Sequence, residues 1–136
     1  MEFADVTLLA VLVAAAASYA IGSLWYSPLL FGKVWMKYVG RSEEQLKAGM
    51  KMAMVGGAVA SIVMAFGVAV ITGMTGAATI AEGITLGFWL WLGFVLAVSL
   101  MNVFYEGQKK QVFLIFNGYQ LLALLVMGAI IAGWPR

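Results

Sequence analysis

Neither cysteine nor histidine occurs anywhere in the 136 residues, proline occurs twice, and only six residues are acidic. Without cysteine there is no disulfide, no thiolate nucleophile and no cysteine metal site. Without histidine, haem, a zinc centre and a Ser-His hydrolase lose their usual ligand or base. Charge is scarce as well: 10% of residues are charged, against about 25% in a soluble domain. What fills the chain instead is apolar, 64% of it. A soluble protein of this size could not cover so much apolar surface, so lipid is the expected solvent. The formal charge of +2 is small, and its basic residues gather in two loops, which argues against a nucleic-acid partner. No metal, no cofactor and no enzymatic activity is expected.

Four stretches carry no charge, at 6–32, 52–81, 83–105 and 111–135. Each supplies the roughly 20 apolar residues that cross a bilayer core as a helix. The pattern predicts one all-α membrane domain over 1–136, with spans near 4–26, 50–72, 81–105 and 111–133. Short connections at Gly73–Gly76 and Glu106–Lys110 imply two antiparallel hairpins. The run ending Ala17-Ser18-Tyr19-Ala20 resembles a signal-peptidase site, but Glu2 and Asp5 stand where a positive segment belongs, so a retained helix is expected. Seven of the eight basic residues lie in two loops: Lys33, Lys37, Arg41, Lys47 and Lys51 in one, Lys109 and Lys110 in the other. By the positive-inside rule both loops are expected in the cytoplasm and both termini outside.

The break after the first span can be read further. Ser27 suits an N-cap and Pro28 a first helical position, which predicts a short interfacial helix near 28–39. Lys33, Lys37 and Arg41 fall at four-residue spacing on one face, with Leu30, Phe31, Val34, Trp35 and Tyr38 on or near the other. Trp25, Tyr26, Trp35, Lys37 and Arg41 are therefore expected at the membrane interface, with anionic lipid headgroups as partners. Gly40 can end this helix, and Ser42-Glu-Glu-Gln45 offers a capping box for the next. The segment can be read as a lid over a cytoplasmic opening or, in its commoner use, as an anchor.

Lipid gives helices no hydrophobic reason to associate, so small residues that admit close approach matter. Ala14, Ser18 and Gly22 make one stripe, and Ala53, Gly57 and Ser61 another. Gly83-xxx-Gly87 and Gly128-xxx-Ala132 repeat the pattern on the last two spans. So many small faces on one short bundle predict a homo-oligomer, a dimer being the simplest. The nine methionines read as adaptable filler, since harder metal ligands are missing.

Polar side chains inside apolar spans mark either interhelical hydrogen bonds or a site. Ser99, Asn102 and Glu106 share a face of the third span, Asn117 and Gln120 neighbour each other on the fourth, and Tyr19, Ser23 and Ser27 line the first. Together with Lys33 or Lys109 as counter-charge to Glu106, they could surround a polar pocket open to the cytoplasm. The plainer reading has Asn102 and Asn117 bonding between helices. Glu82, near the outer end of the third span, reads as a cation ligand or proton carrier or, more simply, as a solvated acid favoured by the helix dipole. Trp89 and Trp91 read as packing residues or lipid contacts.

The run Trp25-Tyr-Ser-Pro-Leu-Leu-Phe-Gly-Lys-Val-Trp35 resembles the hallmark of a family of small four-helix prokaryotic membrane proteins of unknown function. Asn102-Val-Phe-Tyr-Glu-Gly107, Phe113-Leu-Ile-Phe-Asn-Gly-Tyr119 and Met127-Gly-Ala-Ile130 resemble its second half, so the likeness covers nearly the whole chain. Where the family commonly has Arg-Pro after Glu-Gly, this chain has Gln108-Lys109, and a rigid loop is not implied. The resemblance implies a bacterial or archaeal inner-membrane location and brings no activity. Two classes of function remain: an oligomer that moves or binds a small solute or ion, and a non-transporting lipid-binding scaffold or subunit of a membrane complex.

Overall fold

The computed structural model describes residues 7–135. The described chain is all-helical: α1 (Leu8–Trp25), α2 (Gly32–Tyr38), α3 (Glu43–Thr75), α4 (Ile80–Glu106) and α5 (Lys110–Ala132). Four of these, α1, α3, α4 and α5, are long and apolar enough to cross a membrane. Residues 4–6 of the expected first span, together with Glu2 and Asp5, lie outside the described residues.

Local chemistry sets the boundaries. Ser42 and Gln45 form the reciprocal capping box, with the Ser42 hydroxyl accepting from the Gln45 N–H at 3.1 Å and the Gln45 carbonyl from the Ser42 N–H at 2.9 Å. Glu43 and Glu44 follow in the first turn, where the exposed N–H groups favour negative charge. From that start α3 runs unbroken for 33 residues. At 1.5 Å per residue it is about 50 Å long, roughly 20 Å more than a hydrocarbon core needs. It ends at Gly76, whose φ of 73° is the left-handed conformation that only glycine adopts freely. Thr79 then caps α4: its hydroxyl accepts from the Glu82 N–H at 3.1 Å and donates to the Glu82 carboxylate at 3.0 Å. Glu82 is thus engaged as a capping acid. Gly107, with φ 70°, closes α4, and the Gln108 N–H reaches back to the Asn102 carbonyl at 3.1 Å.

The Ser-Pro segment differs from its expected form. The Ser27 hydroxyl donates backwards to the Leu24 carbonyl at 2.6 Å, finishing α1 instead of starting α2. Residues 27–31 form a tight turn in which the N–H groups of Leu30 and Gly32 both bond the Ser27 carbonyl. Helix α2 therefore begins at Gly32, with no side-chain cap, and ends at Tyr38. Gly40, at φ 78°, turns the chain out of it, so Arg41 leaves the lysine stripe.

Helix α5 is the central post, packing most extensively on α4, then on α1 and α3. The α3 and α4 helices, although joined by only residues 76–79, touch little along their lengths. The core gathers Ala10, Val11, Ala14 and Ala15 of α1, Ala65, Val68 and Ala69 of α3, and Leu124, Met127 and Ile131 of α5. Met127 is fully buried, whereas Met50, Met52 and Met54 are exposed. Filler describes the first and not the other three.

The α4–α5 crossing rests on glycine. A Cβ at Gly83 would collide with the Gly128 carbonyl oxygen, one at Gly128 with the Gly83 carbonyl, and one at Gly87 with the Leu124 carbonyl. On α1, a Cβ at Gly22 would come within 3.0 Å of the Tyr119 ring. In contrast Gly49, Gly56 and Gly67 of α3 have nothing within 4 Å of that position. Gly83→Ala should lower the thermal stability of the detergent-solubilised protein by about 1–3 kcal/mol through overpacking. Gly49→Ala should raise it by roughly 0.5–1 kcal/mol through helix propensity alone. Equal responses at the two positions would show that the crossing does not need the glycine.

Candidate functional site

The polar side chains near the α2 end of the bundle converge on one stretch of α5. Asn117, 3% exposed, donates through Nδ2 to Ser99 Oγ at 2.9 Å and to the Phe113 carbonyl at 3.0 Å. The Ser99 hydroxyl lies 3.1 Å from the Leu96 carbonyl and 3.2 Å from Asn117 Oδ1, either of which can accept its proton. The Trp91 indole N–H donates to the Asn117 carbonyl at 2.9 Å. From the other side, the Trp25 indole N–H donates to the Ile115 carbonyl at 2.9 Å. The Tyr119 hydroxyl donates to the Ser18 carbonyl at 3.0 Å and lies 3.1 Å from the Ser18 hydroxyl. Residues 115–119 of α5 thus take hydrogen bonds from both α1 and α4.

Among the expected pocket residues, Ser99 and Asn117 are the pair joined directly. Tyr19 is half-buried and its hydroxyl donates to the Met54 carbonyl of α3 at 3.3 Å. Ser23 is exposed and bonds its own helix, donating to the Tyr19 carbonyl at 3.0 Å. Asn102 is half-buried, and its backbone carbonyl serves the turn after α4. Gln120 is half-buried, with an Oε1 that no donor reaches. Glu106 and Lys33 are exposed and form no ion pair among the described residues.

The interface residues build a compact aromatic platform. The Trp25 and Phe31 rings lie 4.7 Å apart, Tyr26 and Trp35 meet edge-on at 5.5 Å, and Tyr26 meets Tyr119 edge-on at 5.9 Å. Burial pushes the Tyr26 hydroxyl up to about 12, with the neighbouring Tyr119 adding to the effect. It remains a neutral phenol at physiological pH. Gly32 is buried because a Cβ there would strike the Tyr26 carbonyl, which seats α2 directly on the end of α1. Lys33, Lys37 and Arg41 remain exposed, and the Lys37 ammonium lies 5.4 Å from the centre of the Tyr38 ring. Around them Leu29, Leu30, Val34 and Met36 are exposed too.

A second feature is the gap between α3 and α4, an open cleft of about 420 Å³ lined by Met64, Gly67, Val68, Leu90, Phe94 and Leu124 among others. Its lining residues are all apolar. Trp89 of α4 is 61% exposed, a lipid-facing position, whereas Trp91 is engaged by α5. The roles of Ser18, Tyr119 and Trp91 were not foreseen among the site residues. Ser18 stands in the small-residue stripe of α1, and Tyr119 in the Asn-x-Gly-Tyr run, so both carried a sequence signal.

The Ser99–Asn117 bond should behave as a structural contact. A double-mutant cycle with Ser99→Ala and Asn117→Ala, followed by thermal unfolding, should give a coupling of about 0.6–1.7 kcal/mol. Glu106→Gln should leave stability unchanged, since the carboxylate is exposed. A larger loss from Glu106→Gln than from Ser99→Ala would contradict this arrangement.

Comparison with known proteins places the chain without adding an activity. No curated protein and no solved structure matches it. A family profile described as "Protein of unknown function (DUF1761)" matches residues 9–132, nearly the entire sequence. The four apolar helices and the aromatic Ser-Pro platform are therefore those of a member of the DUF1761 family, to which this chain belongs.

Proposed function

We propose that this protein is a non-transporting membrane subunit that holds anionic phospholipid headgroups against α2 at the cytoplasmic face. One observation carries the reading: α2 is fastened to α1 and α5 by buried Gly32 and the edge-on rings of Tyr26, Trp35 and Tyr119, while Lys33 and Lys37 are exposed. A floating anchor would not need so firm a seat. Exposed Leu29, Leu30 and Val34 beside the lysines suit the acyl region below the headgroups. The orientation follows the lysine-bearing loops, with both termini outside a prokaryotic inner membrane. Self-association belongs to the same reading, supported by the open glycines of α3.

Transport of a small solute or ion is the competing reading, and it needs a polar path. The groups that could line one, Ser18, Ser99, Asn117 and Tyr119, are bonded to one another and to backbone carbonyls. That favours the subunit reading.

Native mass spectrometry of the detergent-solubilised protein, offered phosphatidylglycerol and phosphatidylcholine together, should show preferential retention of the anionic lipid. Each basic residue near a membrane surface contributes about 1 kcal/mol, so every neutralised charge among Lys33, Lys37 and Arg41 should cut the preference about fivefold. Equal retention of both lipids by the unaltered protein would reject the proposal. A steady potassium flux through proteoliposomes, abolished by Asn117→Ala, would support transport instead.

A further inference from the structure

Helix α4 presents a row of residues to α5 at strict four-residue intervals: Gly83, Gly87, Trp91, Val95 and Ser99. Gly83 and Gly87 touch the α5 backbone, Trp91 and Ser99 bond Asn117, and Val95 packs against the core that α5 helps to form. An α-helix cannot keep such a row straight. Each residue turns it by about 100°, so each four-residue step overshoots by about 40° and four steps accumulate about 160°. In an unbroken α-helix Ser99 would point away from the helix that Gly83 touches.

The correction lies at Trp91–Leu96, where α4 becomes a π-helix for six residues. A π turn closes its hydrogen bonds one residue further along the chain and so takes in one residue more than an α turn. Absorbing that residue takes back about 100° of the overshoot, leaving Ser99 within about 60° of the direction of Gly83. The surplus shows on the surface of the segment. Gly93 has nothing within 4 Å of its Cβ position, and Phe94 is 68% exposed at the α3–α4 cleft.

We infer that Trp91–Leu96 is a register joint that gives the Ala97–Glu106 half of α4 two settings relative to α5. In the present setting the π turn holds Ser99 on Asn117. If the segment tightens to an α-helix with the Gly83–Gly87 crossing fixed, the following half rotates by about 100°. Ser99 then leaves α5, and the Asn117 amide loses its partner on α4. The joint thereby couples the shape of α4 beside the apolar cleft to the exposure of a buried amide. It does not depend on the lipid role of α2.

Deletion and insertion of one residue in the full-length protein separate this from an ordinary helix. Deleting Gly93 removes the surplus residue, so an α-helix can keep both crossings. Inserting Ala after Gly93 adds a second surplus. Because the chain has no cysteine, S99C and N117C together report the register by disulfide formation. The deletion should keep the cross-link and a monodisperse detergent-solubilised protein, and the insertion should lose the cross-link. In an ordinary α-helix the two changes rotate the far half equally in opposite senses, so equal loss in both variants overturns the inference. Loss in the deletion alone does the same.

Hydrogen exchange on the unaltered chain gives an independent readout. Amides of Val95–Ser99, which straddle the joint, should exchange at least about tenfold faster than those of Ile84–Phe88. Equal protection of the two stretches would overturn the joint as a two-setting device.

Discussion

In hydrocarbon no solvent water is present to receive a stray hydrogen bond, so each polar group must find its partner within the protein. Asn117 is where this chain meets that demand most completely. Its amide, its backbone carbonyl and the neighbouring carbonyl of Ile115 together bond Ser99, Trp91 and Trp25. Two indole N–H groups and a serine hydroxyl, each costly if left alone in lipid, are satisfied within a single turn of α5. That turn joins α1 to α4 although the two are distant in sequence, and it makes α5 the post of the bundle.

The two ends of the bundle are held by different physics. Near α2, directional hydrogen bonds and edge-on aromatic contacts set the geometry. At the opposite end, where the side chains are small and apolar, close backbone contact at Gly83, Gly87 and Gly128 does so. Dispersion at short range replaces the hydrophobic drive that lipid abolishes. Helix α3 shares little of either device. It meets α1 and α5 through alanine and valine, and leaves Gly49, Gly56 and Gly67 open and Met50, Met52, Met54 and Met74 exposed. The splay between α3 and α4 follows from that difference.

Much of this organisation was legible in the residues. Four long apolar helices lie over the charge gaps, and α3 begins at Glu43, seven residues before the span expected there. Ser42 and Gln45 announced that start all the same, because a capping box is a local signal. Gly83, Gly87, Gly128 and Ala132 named the closest crossing, since a missing Cβ has few other uses in a membrane helix. The Ser27 hydroxyl was misassigned because two helix ends compete for it and spacing cannot say which wins. The π turn was missed for a similar reason. Its signal is a mismatch between Gly83 and Ser99, visible only once both are known to face α5. The polar stripes were found, but whether Ser99 and Asn117 surround a space or close on each other depends on helix separation, which periodicity does not encode.

The unbroken length of α3 has a mechanical corollary. A rod of about 50 Å pivoting near one end moves its other end about 9 Å for each 10° of tilt. Were α3 to tilt about its Gly76 end, the end that travels would be the capping box at Ser42, tied to α2 by three residues, 39–41. Such a tilt would be magnified at the charged surface around Glu43 and Lys47. Length alone thus ties the charged surface at the start of α3 to the seating of the same helix some 33 residues away.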